Sequence, residues 1–206
     1  MVGDAVPYHY LLKIIADRRK KMYNYLENSK KEVSYIGLAK RKRNRLKDYD
    51  YSQDGAYFIT ICTEDHKCIL SQIVGDGVLN VPKVELTECG AIIQGQICLM
   101  EDRYELVKIE KYVIMPNHLH FIIRICNSLE VCIVGTSRTP SPTNALIPQF
   151  VSTLKRFCNV KYGKNIWQRS YHDHIIRGEN DYQMIWDYIE NNPAKWRKDC
   201  FYKEET

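Results

Sequence analysis

Apolar and polar positions along the chain predict three β-strands. Residues 57–63 are almost all β-branched or aromatic, which favours a strand. Residues 105–115 predict a second strand, and Pro116-Asn117 predicts a turn into a third strand over residues 118–125. Side chains two positions apart in a strand point to the same face. One face of the third strand therefore carries His118 and His120, and the opposite face carries Leu119, Phe121, Ile123 and Ile125.

Helical spacing of apolar residues appears in four other segments. Residues 8–27 predict a helix with a basic face, and Thr87 can cap a helix that ends near residue 100. Residues 146–162 and 179–191 predict two more helices, the second ended by Pro193. Residues 127–148 are rich in Ser, Thr and Pro without a period and predict a surface loop. Because strands and helices do not alternate strictly, the pattern favours an α+β fold with an antiparallel sheet.

Length and charge divide the chain into an extension and one domain. The 206 residues suffice for one well-buried domain and an extension. The first 48 residues hold 13 Lys or Arg and 5 Asp or Glu, whereas the rest hold 17 and 20. We therefore expect a basic, helical extension over residues 1–40 and a domain over 41–202. The run that contains Arg41, Arg43, Arg45 and Lys47 is either a phosphate-binding arm or a solvated tail.

Composition also bears on cellular location. No run of about 18 apolar residues occurs, so no membrane span is expected. The first ten residues lack the charged-then-apolar pattern of a signal peptide. None of the eight cysteines forms a Cys-x-x-Cys pair, which disfavours a zinc knuckle. We expect a cytoplasmic protein with reduced thiols.

Two imidazoles on one face of a strand form half of a metal site. His118 and His120 need further ligands, and the last predicted helix offers them. Tyr188 and Asn192 are four residues apart, so they share a helix face. Because proline disfavours helical torsions in the residue before it, Asn191 is an alternative to Asn192. The segment His172-Asp173-His174 is a rival pair, but its centre is polar and its strand is unclear.

The residue types suggest phosphodiester chemistry. A tyrosine hydroxyl, with an ordinary pKa of about 10, is a poor base near neutral pH. It is a reasonable nucleophile toward a phosphorus centre whose charge a cation neutralises. We therefore expect Mg²⁺ or Mn²⁺ as cofactor; Mg²⁺ prefers oxygen ligands and Mn²⁺ accepts imidazole more readily.

Five segments in order carry a resemblance to a known family. They are residues 45–52, 55–63, 113–120, 167–177 and 187–193. On these segments the chain resembles REP-associated tyrosine transposases, which are insertion-sequence-type transposases of the single-tyrosine HUH endonuclease superfamily. The resemblance covers roughly residues 41–196.

The resemblance implies a fold, a site and a reaction. The implied fold is a ferredoxin-like or RRM-like antiparallel sheet backed by helices. The implied metal ligands are His118, His120 and Asn192, and the implied nucleophile is Tyr188. The implied reaction is cleavage and rejoining of single-stranded DNA, often at the foot of a hairpin, through a 5′-phosphotyrosine and a free 3′-hydroxyl. In this hypothesis Arg41, Arg43, Arg45 and Lys47 hold the DNA backbone.

Two other functions stay open at this point. One is a non-catalytic nucleic-acid-binding module on the same fold, which would bind DNA without regard to metal or Tyr188. The other is a metal-dependent phosphodiesterase that activates water and forms no covalent intermediate. The sequence is compatible with a monomer or a homodimer. The active site can accordingly be completed within one chain or by a partner's helix.

Overall fold

A four-stranded antiparallel sheet forms the centre of the protein. The computed structural model describes residues 49–75, 82–126 and 145–202. The strands are β1 (Gly55–Cys62), β4 (Val107–Met115), β5 (His118–Ile125) and β6 (His172–Ile176), in the order β4-β5-β1-β6. All neighbouring strands are antiparallel. This order, with a helix between β1 and β4 and another between β5 and β6, is ferredoxin-like and confirms the predicted fold class.

The helices largely follow the predicted boundaries. They are α1 (Glu88–Cys98), α2 (Met100–Arg103), α3 (Leu146–Tyr162) and α4 (Glu179–Asn191). Thr87 caps α1 as predicted, because its side chain accepts a hydrogen bond from the Gly90 amide at 3.1 Å. The predictions for α3, α4 and β5 are confirmed in both position and type.

The elements that escape the sequence pattern include β6, whose segment shows no clear strand pattern, a small two-stranded sheet and a 3-10 helix. Strands β2 (Ser71–Val74) and β3 (Lys83–Leu86) pair as a small antiparallel sheet, and their four-residue length gives too little alternation to detect. A 3-10 helix (Pro193–Lys198) follows α4, so Pro193 ends the α-helix as predicted but begins another turn. Proline suits this position because its fixed φ fits the first residue of a helix.

The sheet separates a large core from a small one. On one face Leu119, Phe121 and Ile123 lie in the main core with buried residues of α1 and α3. On the other face Tyr188 and Ile189 of α4 pack with buried side chains of β1 and β5. The predicted division of β5 into two faces is thus confirmed. The histidine face of β5 is the face that α4 covers.

Several predicted features lie outside the described residues. They are the helix over 8–27, the whole extension over 1–40, the basic residues Arg41, Arg43, Arg45 and Lys47, and residues 127–144 of the loop predicted over 127–148. The end of that loop prediction is wrong, because residues 146–148 form the first turn of α3. Among the helices that the structure describes, none is long and apolar enough to span a bilayer.

Candidate metal centre and nucleophile

The first residues of β5 place two histidines together on the α4 face of the sheet. His118 pairs with Cys62 of β1, and His120 pairs with Thr60. Both side chains are completely buried. Their ring centroids are 4.4 Å apart. The strand geometry predicted from the i, i+2 spacing therefore produces adjacent imidazoles.

Asn117 fixes the tautomer of His118. Its amide nitrogen donates to the carbonyl oxygens of Phe201 and His66, at 2.9 and 3.2 Å. Its amide oxygen therefore faces His118 Nδ1, 2.8 Å away, and accepts the Nδ1 proton. His118 Nε2 is left with its lone pair, buried and without a hydrogen-bond partner among the described residues.

His120 is held by β1 and α4. Its Nδ1 lies 2.9 Å from Thr60 Oγ1, and its ring stacks on Phe58 at a centroid distance of 5.1 Å. Its Nε2 lies 3.3 Å from the hydroxyl oxygen of Tyr188. The nitrogen that would bind a metal is therefore the one that faces the candidate nucleophile.

Burial keeps both imidazoles neutral. Desolvation, followed by the nearby His66, lowers the pKa of His118 to about 3. Desolvation, followed by His118, also holds the pKa of His120 well below its usual value. Neutral imidazole is the form that binds a metal, so both side chains are ready to do so at neutral pH.

Tyr188 projects from α4 into the histidine pair. Its side chain is buried, and its ring centroid lies 5.2 Å from that of His120. Its hydroxyl group donates to Asp199 Oδ2 at 3.1 Å. The structure thus brings the predicted nucleophile to the predicted metal ligands.

Asn192, and not Asn191, lies at the site. Asn192 is fully buried, and its Nδ2 donates to Asp199 Oδ2 at 2.8 Å. Asn191 is exposed and donates to the Asp187 carbonyl of its own helix. The expectation that Pro193 pushes Asn192 out of helical torsions is wrong, since its φ and ψ are −59° and −43°. Burial and the bond to Asp199 stabilise this conformation against the preference that proline imposes.

Asp199 is a site residue that sequence reasoning missed. One ligand atom each from Asp199, His118 and His120 lie within 4.8 Å of one another. Asp199 is buried, and its Oδ1 also accepts a hydrogen bond from the Phe201 amide at 2.7 Å. The only signal in the sequence is a lone carboxylate after the basic stretch Lys195-Trp196-Arg197-Lys198. Such a signal has no specificity without the tertiary structure.

The donor set fits a divalent cation. Two buried atoms at the site, His118 Nε2 and Asn192 Oδ1, lack a hydrogen-bond partner in the described part of the chain. Buried polar atoms are usually paired, and a bound cation would satisfy both. Imidazole nitrogens together with amide and carboxylate oxygens suit Mn²⁺, and the oxygens suit Mg²⁺.

The rival pair on β6 forms no separate metal site among the described residues. His174 Nε2 lies 2.8 Å from Asp181 Oδ2, an interaction that ties β6 to the start of α4. His172 pairs with Thr60 on the side of β1 away from β5, and its ring centroid lies 6.5 Å from that of Phe201. His174 therefore has a structural role, and His172 lies at the edge of the candidate site.

The sequence has a relative that spans most of it. The chain is 34% identical over 178 residues to an uncharacterized protein of Haemophilus influenzae. The match covers 81% of this chain and 95% of that protein. The chain belongs to the same family as this protein. No model of a protein family matches the chain.

The fold has a solved counterpart. It is similar to the structure of a REP-associated tyrosine transposase bound to a REP hairpin, with a TM-score of 0.51 and 20% sequence identity. The similarity covers 77% of this chain and 74% of that chain. The resemblance to REP-associated tyrosine transposases is thereby confirmed at the level of the fold.

Proposed function

We propose that the protein is a metal-dependent transposase-type endonuclease that cleaves and rejoins single-stranded DNA through a 5′-phosphotyrosine. The observation that carries this proposal is the position of the Tyr188 hydroxyl. It lies 3.3 Å from His120 Nε2 and 3.1 Å from Asp199 Oδ2, beside the candidate ligands. The fold shared with a transposase that was solved with a REP hairpin supports hairpin-containing DNA as the substrate.

The proposed ligands of Mg²⁺ or Mn²⁺ are His118, His120 and Asn192, with Asp199 beside them. Asp199 brings a carboxyl group to the same place, with one ligand atom within 4.8 Å of those of the two histidines. When bound, the cation would withdraw negative charge from the scissile phosphate. The protein's own contribution is a set of buried candidate ligand side chains whose orientation is fixed by further hydrogen bonds.

Tyr188 makes the covalent bond in the proposed reaction. Its hydroxyl oxygen attacks phosphorus, so that the Tyr188 O–P bond forms and the bond from phosphorus to the 3′ oxygen breaks. The phenolic proton passes to Asp199 Oδ2, which already accepts it as a hydrogen bond. The 3′ oxygen takes a proton from solvent and leaves as a hydroxyl group. The phosphotyrosine retains the bond energy, so rejoining needs no nucleotide hydrolysis.

Access to the site depends on the chain after α4. The Phe201 ring lies over His118 at a centroid distance of 4.7 Å and is itself buried. Since Tyr188 is only 1% exposed, a phosphodiester reaches it when the Phe201 side chain turns away from His118. Residues 41–202 form the proposed catalytic domain and 1–40 the basic extension. Phosphate contacts by Arg41, Arg43, Arg45 and Lys47 remain a prediction from charge.

The decisive experiment is a trap for the covalent adduct. The protein is incubated with Mn²⁺ and a single-stranded DNA that contains a hairpin and a 3′-end label, and the products are separated on a denaturing gel. We expect the label to migrate with the protein, and Tyr188→Phe to abolish this band. Tyr182→Phe is the matched control, because Tyr182 lies on the same helix but its hydroxyl donates to Glu110.

Each other outcome contradicts the proposal in a distinct way. An adduct that survives in Tyr188→Phe assigns the nucleophile elsewhere. Cut DNA without an adduct indicates a phosphodiesterase that activates water. DNA binding that ignores both metal and Tyr188, without cleavage, indicates a non-catalytic binding module.

A further inference from the structure

The segment after α4 combines aromatic and basic side chains next to the candidate metal centre. We infer that Trp196, Tyr202, Arg197 and Lys198 form a binding surface for a nucleotide next to the scissile phosphate. We call these four residues the C-terminal surface. This inference rests on the proposed function, because it names where the same site would hold the DNA strand beside the reacting bond.

The aromatic pair is positioned to stack on a base. The rings of Trp196 and Tyr202 meet edge to face, with centroids 5.3 Å apart, and both side chains are only half-buried. The Trp196 ring lies 5.9 Å from the ring of His118. Bases of single-stranded DNA stack on exposed aromatic rings with little regard to sequence. A base on this pair therefore belongs to a nucleotide close to the one that reacts.

The neighbouring charges are available for phosphates. Arg197 and Lys198 are exposed, and neither forms an ion pair with any residue that the structure describes. Other cations near α4 are engaged, since Lys111 pairs with Glu190 and Arg124 with Glu110. Lys or Arg that neutralise phosphates release counterions and supply affinity that does not depend on sequence.

The C-terminal surface is fixed to the site by buried hydrogen bonds. Asp199 lies between Trp196 and Tyr202 in the sequence, and its side chain accepts hydrogen bonds from Tyr188 and Asn192. The carbonyl of Phe201 accepts from Asn117, the residue that orients His118. The surface is thus tied to the nucleophile and to a metal ligand, and it lies on the segment that covers the site. DNA bound to this surface would lie next to the candidate metal centre.

The first test is photocrosslinking under conditions in which no chemistry occurs. Tyr188→Phe protein in EDTA is irradiated with an oligothymidylate in which 5-iodouracil replaces some thymines, and the adducts are mapped by mass spectrometry. We expect adducts on Trp196 or Tyr202. Adducts confined to other aromatic residues would overturn the inference.

The second test measures affinity and its salt dependence. In EDTA, the double variant Arg197→Ala/Lys198→Ala should bind fluorescein-labelled oligothymidylate about tenfold more weakly, with a salt slope smaller by about 1.4, since each single-strand phosphate contact contributes about 0.7. Trp196→Leu, which keeps an apolar side chain, should also bind about tenfold more weakly. The matched control is Lys161→Ala/Lys164→Ala, which removes the same charge from exposed positions at the end of α3.

The outcomes separate this inference from the proposed function. Equal affinity and salt slope in the Arg197/Lys198 variant and the control variant would refute the C-terminal surface, even if the phosphotyrosine forms. Crosslinks at Trp196 or Tyr202 together with a selective loss of affinity support it, even if no cleavage is found. In that second case only the proposed chemistry fails.

Discussion

At the scale of single residues, hydrogen bonds connect the side chains of the candidate site. Each bond determines which atom of a side chain is left to face its next neighbour. Asn117 uses its nitrogen on two carbonyls, so its oxygen must accept from His118. Asp199 Oδ2 accepts from both Tyr188 and Asn192. Such second interactions orient metal ligands, and their loss typically costs about 10- to 100-fold in metal affinity. The side-chain positions are therefore set before any cation binds.

Asn192 and Asn191 offer a matched pair of substitutions. We expect Asn192→Ala to weaken Mn²⁺ binding by about tenfold or more, because it removes a buried candidate ligand oxygen and a donor to Asp199. Asn191→Ala should leave the affinity within about twofold, since Asn191 is exposed and bonds only to Asp187. Calorimetric titration of the metal-free proteins with Mn²⁺ gives both values. Equal affinities would assign the third ligand to Asp199 instead.

The sequence allowed part of this residue-level picture to be predicted. The spacing of His118 and His120 suffices to place them on one face, because a strand alternates its side chains with a period of two. The helical spacing of Tyr188 and Asn192 likewise suffices to put them on one side of α4. Asp199 could not be predicted, since a 3-10 helix of unknown direction separates it from α4. Its place in the site depends on tertiary packing alone.

At the scale of elements, α1 packs so closely against the loop before β2 that one helix position has no room for a side chain. Gly90 lies in the first turn of α1, directly over the backbone of Leu70. A Cβ atom at Gly90 would lie 2.0 Å from the Leu70 carbonyl oxygen. A backbone oxygen cannot avoid the contact by changing rotamer, as a side chain could. This helix position therefore requires glycine.

Gly90 and Gly95 lie in the same helix and respond to alanine in opposite directions. Gly90→Ala should destabilise the protein by about 1–3 kcal/mol, because helix and loop must separate. Gly95→Ala should stabilise it by about 0.5–1 kcal/mol, since alanine is the better helix former and nothing lies within 4 Å of the added Cβ. Urea unfolding of both variants measures the difference. A stabilising Gly90→Ala would mean that α1 lies farther from Leu70.

The elements that the sequence predicted share a long, regular pattern. α3 and α4 show apolar positions over 17 and 13 residues, and β5 has an apolar residue at every second position from Leu119 to Ile125. The β2–β3 pair lacks such length, and its strands are mostly half-buried or exposed. The pair contacts β4 and the 3-10 helix after α4, and no local pattern encodes these contacts.

At the scale of the whole molecule, the ferredoxin-like order brings distant segments to one place. His120 is at the start of β5 and Tyr188 is in α4, 68 residues later. Strand β6 lies on the far side of β1 from β5, and the chain then returns as α4 across the sheet face. The candidate site therefore takes its ligands, nucleophile and carboxylate from a single chain.

Mixing two inactive variants tests this single-chain site, within the proposed function. His120→Ala removes a ligand and Tyr188→Phe removes the nucleophile, so each alone should form no covalent adduct with DNA. If each chain completes its own site, a mixture of the two should also form none, because no molecule then contains both groups. Adding wild-type protein to each variant should restore the adduct and exclude inhibition by the variant. If the mixture alone formed an adduct, Tyr188 would have to reach the histidines of a second chain, which would require α4 to leave the position it has here, with the Tyr188 hydroxyl 3.3 Å from His120 Nε2.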